Sequence, residues 1–141
     1  MTTSFITTDV LILHRAGQAG LLPEGFTFRW RGHDLRHKPG GYTDGMSDPK
    51  FLQCVEALDP YGWILPAAVP HDGGYHRHIE IFAGGEWKPF QMDRASCDDM
   101  FYELALVLAG EDKIKQKLAF AFYEAVKLGG QSSYDEGHKP R

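Results

Sequence analysis

Between Val69 and Glu80 the chain reads VPHDGGYHRHIE, which sets three histidines, two carboxylates and a tyrosine around a Gly-Gly pair. A histidine becomes a general base when a carboxylate accepts a bond from one ring nitrogen and leaves the other to a water. On a helix, His71 and Tyr75 are four apart and share a face, whereas Asp72 points roughly 100° away from His71. Asp98, early in the next strongly helical stretch, is the carboxylate expected to partner His71. Asp72, or an acid such as Asp44 in the glycine-rich loop of residues 40–48, could instead hold a hard cation within a shell of backbone carbonyls. Such a cation would polarise a carbonyl and stabilise a developing oxyanion. The Gly-Gly pair would let a ligand or a neighbouring backbone come close. Two plainer readings stand beside these: a His-Asp pair is often only a polar contact in a core or on a surface, and zinc through His71, His76 and His78 is disfavoured. His76 and His78 are not neighbours on one helical face, and no cysteine supports them.

Helices must position these groups. In MDRASCDDMFYELALVLAG, Cys97, Met100, Phe101, Leu104, Ala105 and Leu108 recur at helical spacing, with Asp93 placed to cap the start and Gly110 to end the run. In DKIKQKLAFAFYEAVKLGG, Ile114, Leu118, Phe122 and Val126, with Ala119 and Tyr123, form an expected apolar face that Gly129 and Gly130 terminate. The two helices should pack as an antiparallel hairpin. A further helix is expected over about residues 66–78, with proline in its first turn, although each internal glycine costs about 1 kcal/mol relative to alanine.

The front half is richer in β-branched and aromatic residues. FITTDVLILH and FTFRWRG read as strands, with GLLPEG as the turn between them, and HKPGGYTDGMSDPK reads as an irregular loop. The expected architecture is α+β: a small N-terminal β-sheet followed by a mainly helical core, forming one domain over residues 1–130. A polar, mobile tail is expected over residues 131–141.

Composition narrows the function classes. The 141 residues suit one domain, and a net charge of −4 with interspersed signs leaves no footprint for nucleic acid or an anionic membrane. The local basic group Arg29, Arg31, Arg36, His37 and Lys38 reads as a solvated loop edge. Cys54 and Cys97 are too few for a disulfide scaffold and lack metal or redox spacing, so both are expected as reduced thiols, with Cys97 buried beside the helix hairpin. MTTSFITTDVLILHRAG has no basic segment before its apolar run and no small-residue cleavage site, and no window approaches the roughly 20 apolar residues of a membrane span. Folding in a cytoplasm is the expectation.

Three segments in order, GYTDGMSDP, AAVPHDGGYH and DRASCDDMF, resemble a family of small bacteriophage-encoded proteins of unknown function. Its members read approximately G-[FY]-x-T-D-x-x-S-x-P, A-A-x-x-H-D-x-x-Y and [SD]-R-x-x-[AC]-D-x-x-F, and FYEAVKLGG looks like that family's final helix. The H-D-x-x-Y and C-D pieces also resemble the core of secreted phospholipases A₂, enzymes with a calcium-binding loop, a His-Asp pair and two antiparallel helices. This resemblance implies a phospholipase A₂-like core in which His71 activates water, Asp98 partners it, Tyr75 supports them and Asp72 holds calcium. The phospholipase calcium loop Y-G-C-Y-C-G-x-G-G and its disulfide framework are missing, so the loop of residues 40–48, with Asp44, would have to serve instead. The resemblances imply synthesis in a host-cell cytoplasm and a place in the virion. They leave two functions open: a lipid or ester hydrolase, and a non-enzymatic tail or virion-assembly protein with other virion proteins as partners.

Overall fold

The computed structural model describes residues 3–6, 20–22, 25–43 and 63–138, with the backbone alone at residues 20–22, 41–43, 65 and 133. In chain order the elements are β1 (Ser4–Phe5), β2 (Gly20–Leu22), β3 (Phe26–Trp30), β4 (His33–His37), β5 (Gly41–Thr43), α1 (Leu65–Tyr75), β6 (Ile79–Ala83), β7 (Glu86–Pro89), α2 (Arg94–Ala109), α3 (Lys113–Gly129) and α4 (Gln131–Gly137). The fold class is α+β, as expected.

Period-two alternation builds the sheet. In FTFRW the side chains of Phe26, Phe28 and Trp30 are buried while Arg29 is exposed, the pattern of a strand with one face on a core. β3 and β4 close through Arg31 and Gly32, at φ 51° and 81°, the left-handed pair of a type I′ hairpin. Gly84 and Gly85, at φ 63° and 80°, close β6 onto β7 in the same way. The antiparallel sheet has the order β1-β3-β4-β6-β7, and β2 pairs with β5 in a separate ribbon. The sheet is therefore completed by a hairpin that follows α1, with Leu35 opposite Ile81 and His37 opposite Ile79. The loop-edge reading of the basic group is corrected here. Arg29 pairs with Asp34 at 2.8 Å, Arg36 pairs with Glu80 at 2.8 Å and lies 4.5 Å over the Trp87 ring, and His37 is fully buried.

α1 lies between this sheet and α2, and every described side chain from Ala67 to Tyr75 is buried. A helix buried all round needs small residues where neighbours press closest. A Cβ added at Gly73 would come 2.7 Å from His37 Cδ2 and 2.9 Å from Ile79 Cδ1, and one at Gly74 would come 2.6 Å from Cys97 Sγ. The helix ends at Tyr75, three residues before the expected His78. The His76 amide bonds back to Asp72 O and Gly73 O, and Arg77, at φ 62°, turns the chain into β6.

α2 starts where expected: Asp93 Oδ1 accepts from Ser96 N at 2.7 Å, and Gly110 ends the helix at φ 55°. Asp112 caps α3 through Ile114 N at 3.0 Å and Lys115 N at 3.1 Å. The link Gly110–Asp112 makes α2 and α3 the antiparallel hairpin. The inward face of α3 differs from the expected one: Ala119, Phe122 and Val126 are buried, but Ile114 is 72% exposed. The expected mobile tail differs too. Residues 131–137 form α4, whose Tyr134 hydroxyl donates to Met92 O at 2.8 Å and whose ring meets Tyr75 edge-on at 5.4 Å; residues 139–141 lie outside the described set.

Two predictions follow from the seating of α1. At Gly73, crowding of typically about 1–3 kcal/mol outweighs the gain of about 1 kcal/mol in helix propensity. Gly73→Ala should therefore lose about 1 kcal/mol in urea denaturation; a gain would mean α1 does not sit this close to β4 and β6. At Gly74 the added Cβ lies 3.5 Å from Cys97 Cβ, within disulfide range. Gly74→Cys in a Cys54→Ser background, refolded with a glutathione redox pair, should form an intramolecular bridge. Two alkylatable thiols after refolding would contradict the α1–α2 register.

Candidate functional site

Helical spacing on α1 aims His71 and Tyr75 at one point on α2, and that point is Asp98. His71 Nε2 lies 2.8 Å from Asp98 Oδ1, and the Tyr75 hydroxyl donates to the same oxygen at 2.7 Å. The sequence-predicted trio is thus assembled across the α1–α2 interface. All three are buried, with Asp98 2% and His71 8% exposed. Burial first, and then the bond to Asp98, hold the Tyr75 hydroxyl far above the usual tyrosine range, so it remains a donor. Phe101 closes edge-on to the imidazole at 5.4 Å, and Tyr75 lies against it at 4.2 Å, fixing the ring plane.

One residue of the site carried no role in the sequence reading. Arg94, one turn before Asp98, has its Nε 4.0 Å from Asp98 Oδ2. Its other nitrogens donate to Val126 O at 3.0 Å, to Lys127 O and to Gln131 Oε1 at 3.3 Å. It therefore caps the C-terminal carbonyls of α3 while facing the second carboxylate oxygen. The available signal was its i, i+4 spacing to Asp98 at a helix start. Gly130, the second of the Gly pair ending α3, has a role here as well, since a Cβ there would overlap the Tyr75 hydroxyl.

Asp72 faces away from this trio, as the helical angle requires. Its Oδ1 lies 3.0 Å from His76 Nδ1, and the residue is 5% exposed. His78 lies beyond, with its ring 6.2 Å from that of His76 and 5.1 Å from that of His37. Asp44 lies outside the described residues, so its pairing with Asp72 does as well. Among the described residues no group of three or more His, Cys, Asp or Glu side chains comes together in a way that could hold a metal ion. The described surroundings of Asp72 thus supply a carboxylate already engaged by a histidine.

Cys97 packs beside the trio with no exposed surface, and its burial, with Asp98 and Asp93 nearby, raises its thiol well above the ordinary range. It fills space against Gly74 and is kept protonated. Cys54 lies outside the described residues. No helix among the described residues is long and apolar enough to cross a membrane. Comparison with protein-family models, with curated proteins and with solved structures finds no match to this chain.

Proposed function

We propose that the chain is a phage-associated hydrolase of lipid or other ester bonds, with His71 as its general base. The observation that carries this reading is the 2.8 Å bond from His71 Nε2 to a buried carboxylate that also receives the Tyr75 hydroxyl. With Nε2–H donating to Asp98, the lone pair of the neutral ring resides on Nδ1. Nδ1 takes a proton from water as the water oxygen attacks the ester carbonyl; Asp98 stabilises the imidazolium, which returns the proton to the departing alkoxide. Tyr75 and Arg94 hold Asp98 in place. The lipid class and the phage association rest on the resemblance of HDGGY, CD and GYTDGMSDP to those families. Calcium at Asp72 belongs to the same proposal. A cation there would have to displace His76.

A second reading is a non-enzymatic tail or virion-assembly protein, in which the trio is a polar strut and an outer face binds other virion proteins. The exposure of Ile114, at 72%, and Leu128, at 88%, on α3 favours it.

Activity separates the two. Purified protein is assayed on mixed phospholipid–detergent micelles and on short aryl esters, with calcium and with chelator. The hydrolase reading expects turnover that falls by about 10²–10⁴ in His71→Asn, the range general-base loss removes. Asp98→Asn should also fall steeply, whereas Tyr75→Phe should cost less than either. Retained folding is checked by circular dichroism. Absence of turnover on every substrate selects the structural reading, and turnover indifferent to His71→Asn removes His71 as the base.

A further inference from the structure

α3 carries two apolar stripes. One faces inward through Ala119, Phe122 and Val126; the other runs outward through Ile114, Ala121, Ala125 and Leu128, with Leu118 on its border packed against the core. With the bordering Leu118 counted, the row is spaced 4, 3, 4 and 3 apart, the 3.5-residue seam by which two helices pack side by side. Ile114 is 72% and Leu128 88% exposed, Ala121 and Ala125 are exposed, and Leu118 is half-buried. The seam has large residues at its ends and alanine at its middle, a profile that admits a close helix at the centre and grips it at both ends.

We propose that this seam pairs antiparallel with the same seam of a second copy, about a twofold axis beside Ala121. The flanking charges specify the occupant and its direction. Lys117 and Glu124 border the seam on one side, and an antiparallel pair centred on Ala121 sets Lys117 of each copy across from Glu124 of the other. Ile114 of each copy then meets Leu128 of its partner. A patch whose positive position faces its own negative position under a twofold rotation is self-complementary. A parallel pair would instead set Lys117 toward Phe122, which is buried in its own domain, and Glu124 toward Gly129, with no charge matched. Glu124 also has Lys127 at 3.4 Å on its own helix, an exposed contact that leaves it available.

The helix is preformed for this use. Asp112 caps its start and Arg94 binds its last carbonyls, so association orders no backbone. The seam spans about 21 Å at 1.5 Å per residue. So short a contact falls below the roughly 800 Å² per partner of a standard stable interface, the size class of weak and transient association.

Sedimentation equilibrium of the full chain from about 1 to 200 µM, the window for an interface of this size, reads the association directly. The wild type should move from monomer to dimer across it. Leu128→Glu, on a solvent-exposed side chain, should weaken association more than about tenfold with an unchanged circular dichroism spectrum, since it sets a charge at the end of each seam. Lys117→Glu and Glu124→Lys should each weaken it several-fold, and the two together should restore it. A wild type that is monomeric throughout overturns the proposal. So does a dimer indifferent to Leu128→Glu, which would pair through another surface, and so does a double variant no tighter than either single one, which would remove the antiparallel register.

Discussion

A carboxylate with 2% exposure is costly unless it is given donors, and Asp98 sits in the interface of two helices where water cannot provide them. Tyr75 and His71 supply two donors to one oxygen, and Arg94 approaches the other. Much of the local architecture follows from this demand. The donors on α1 reach Asp98 only if α1 and α2 are nearly in contact, and Gly74 against Cys97 permits that approach. α1 must then be held from its other side, where Gly73 lets it settle onto His37 and Ile79. The Gly-Gly pair that would weaken an isolated helix is what allows this one to be buried on two sides. Arg94 extends the arrangement by tying the end of α3 to the start of α2.

The trio was legible in the sequence because its information is local. Four-residue spacing puts His71 and Tyr75 on one face, and the Asp93 cap with the apolar periodicity after it fixes where Asp98 falls on α2. α1 was legible in existence but not in extent, since Arg77 adopts a left-handed conformation that arginine seldom takes and that no neighbouring residue announces. The β6–β7 hairpin went unread although its signal was present: IEIF and EWKP flank a Gly-Gly pair, a two-residue turn between β-prone segments. The length of the polar segment after Gly130 concealed α4. Only tertiary contact, Tyr134 against Tyr75 and Met92, gives that short helix a reason to form.

α3 exposes a more general error. The expected face of Ile114, Leu118, Phe122 and Val126, with Ala119 and Tyr123, has a four-residue row at its centre. Four residues exceed one turn by about 40°, so three such steps carry the row roughly a third of the way round the helix. Ile114 and Val126 therefore cannot share a buried face on a straight helix, and the structure puts one in solvent and the other in the core. Steps of alternating three and four stay on a stripe. That rule recovers both stripes on α3, the inward one and the outward one.

The same network could brace two helices or orient a base, and its layering bears on which. The His71 side chain keeps 10% of its surface exposed against 3% for Asp98, so the imidazole stands outside the carboxylate that orients it. Tyr75 donates to the carboxylate and also lies against the ring, Arg94 faces the second carboxylate oxygen, and Phe101 meets the ring edge-on. A brace gains nothing from this asymmetry, because apolar residues of equal volume fill a helix interface at least as stably as a buried ion pair does. A general base gains directly from it. For the proposed base, the carboxylate is shielded from water and takes two donors on one oxygen, which would stabilise an imidazolium, and the ring is the more exposed member of the pair.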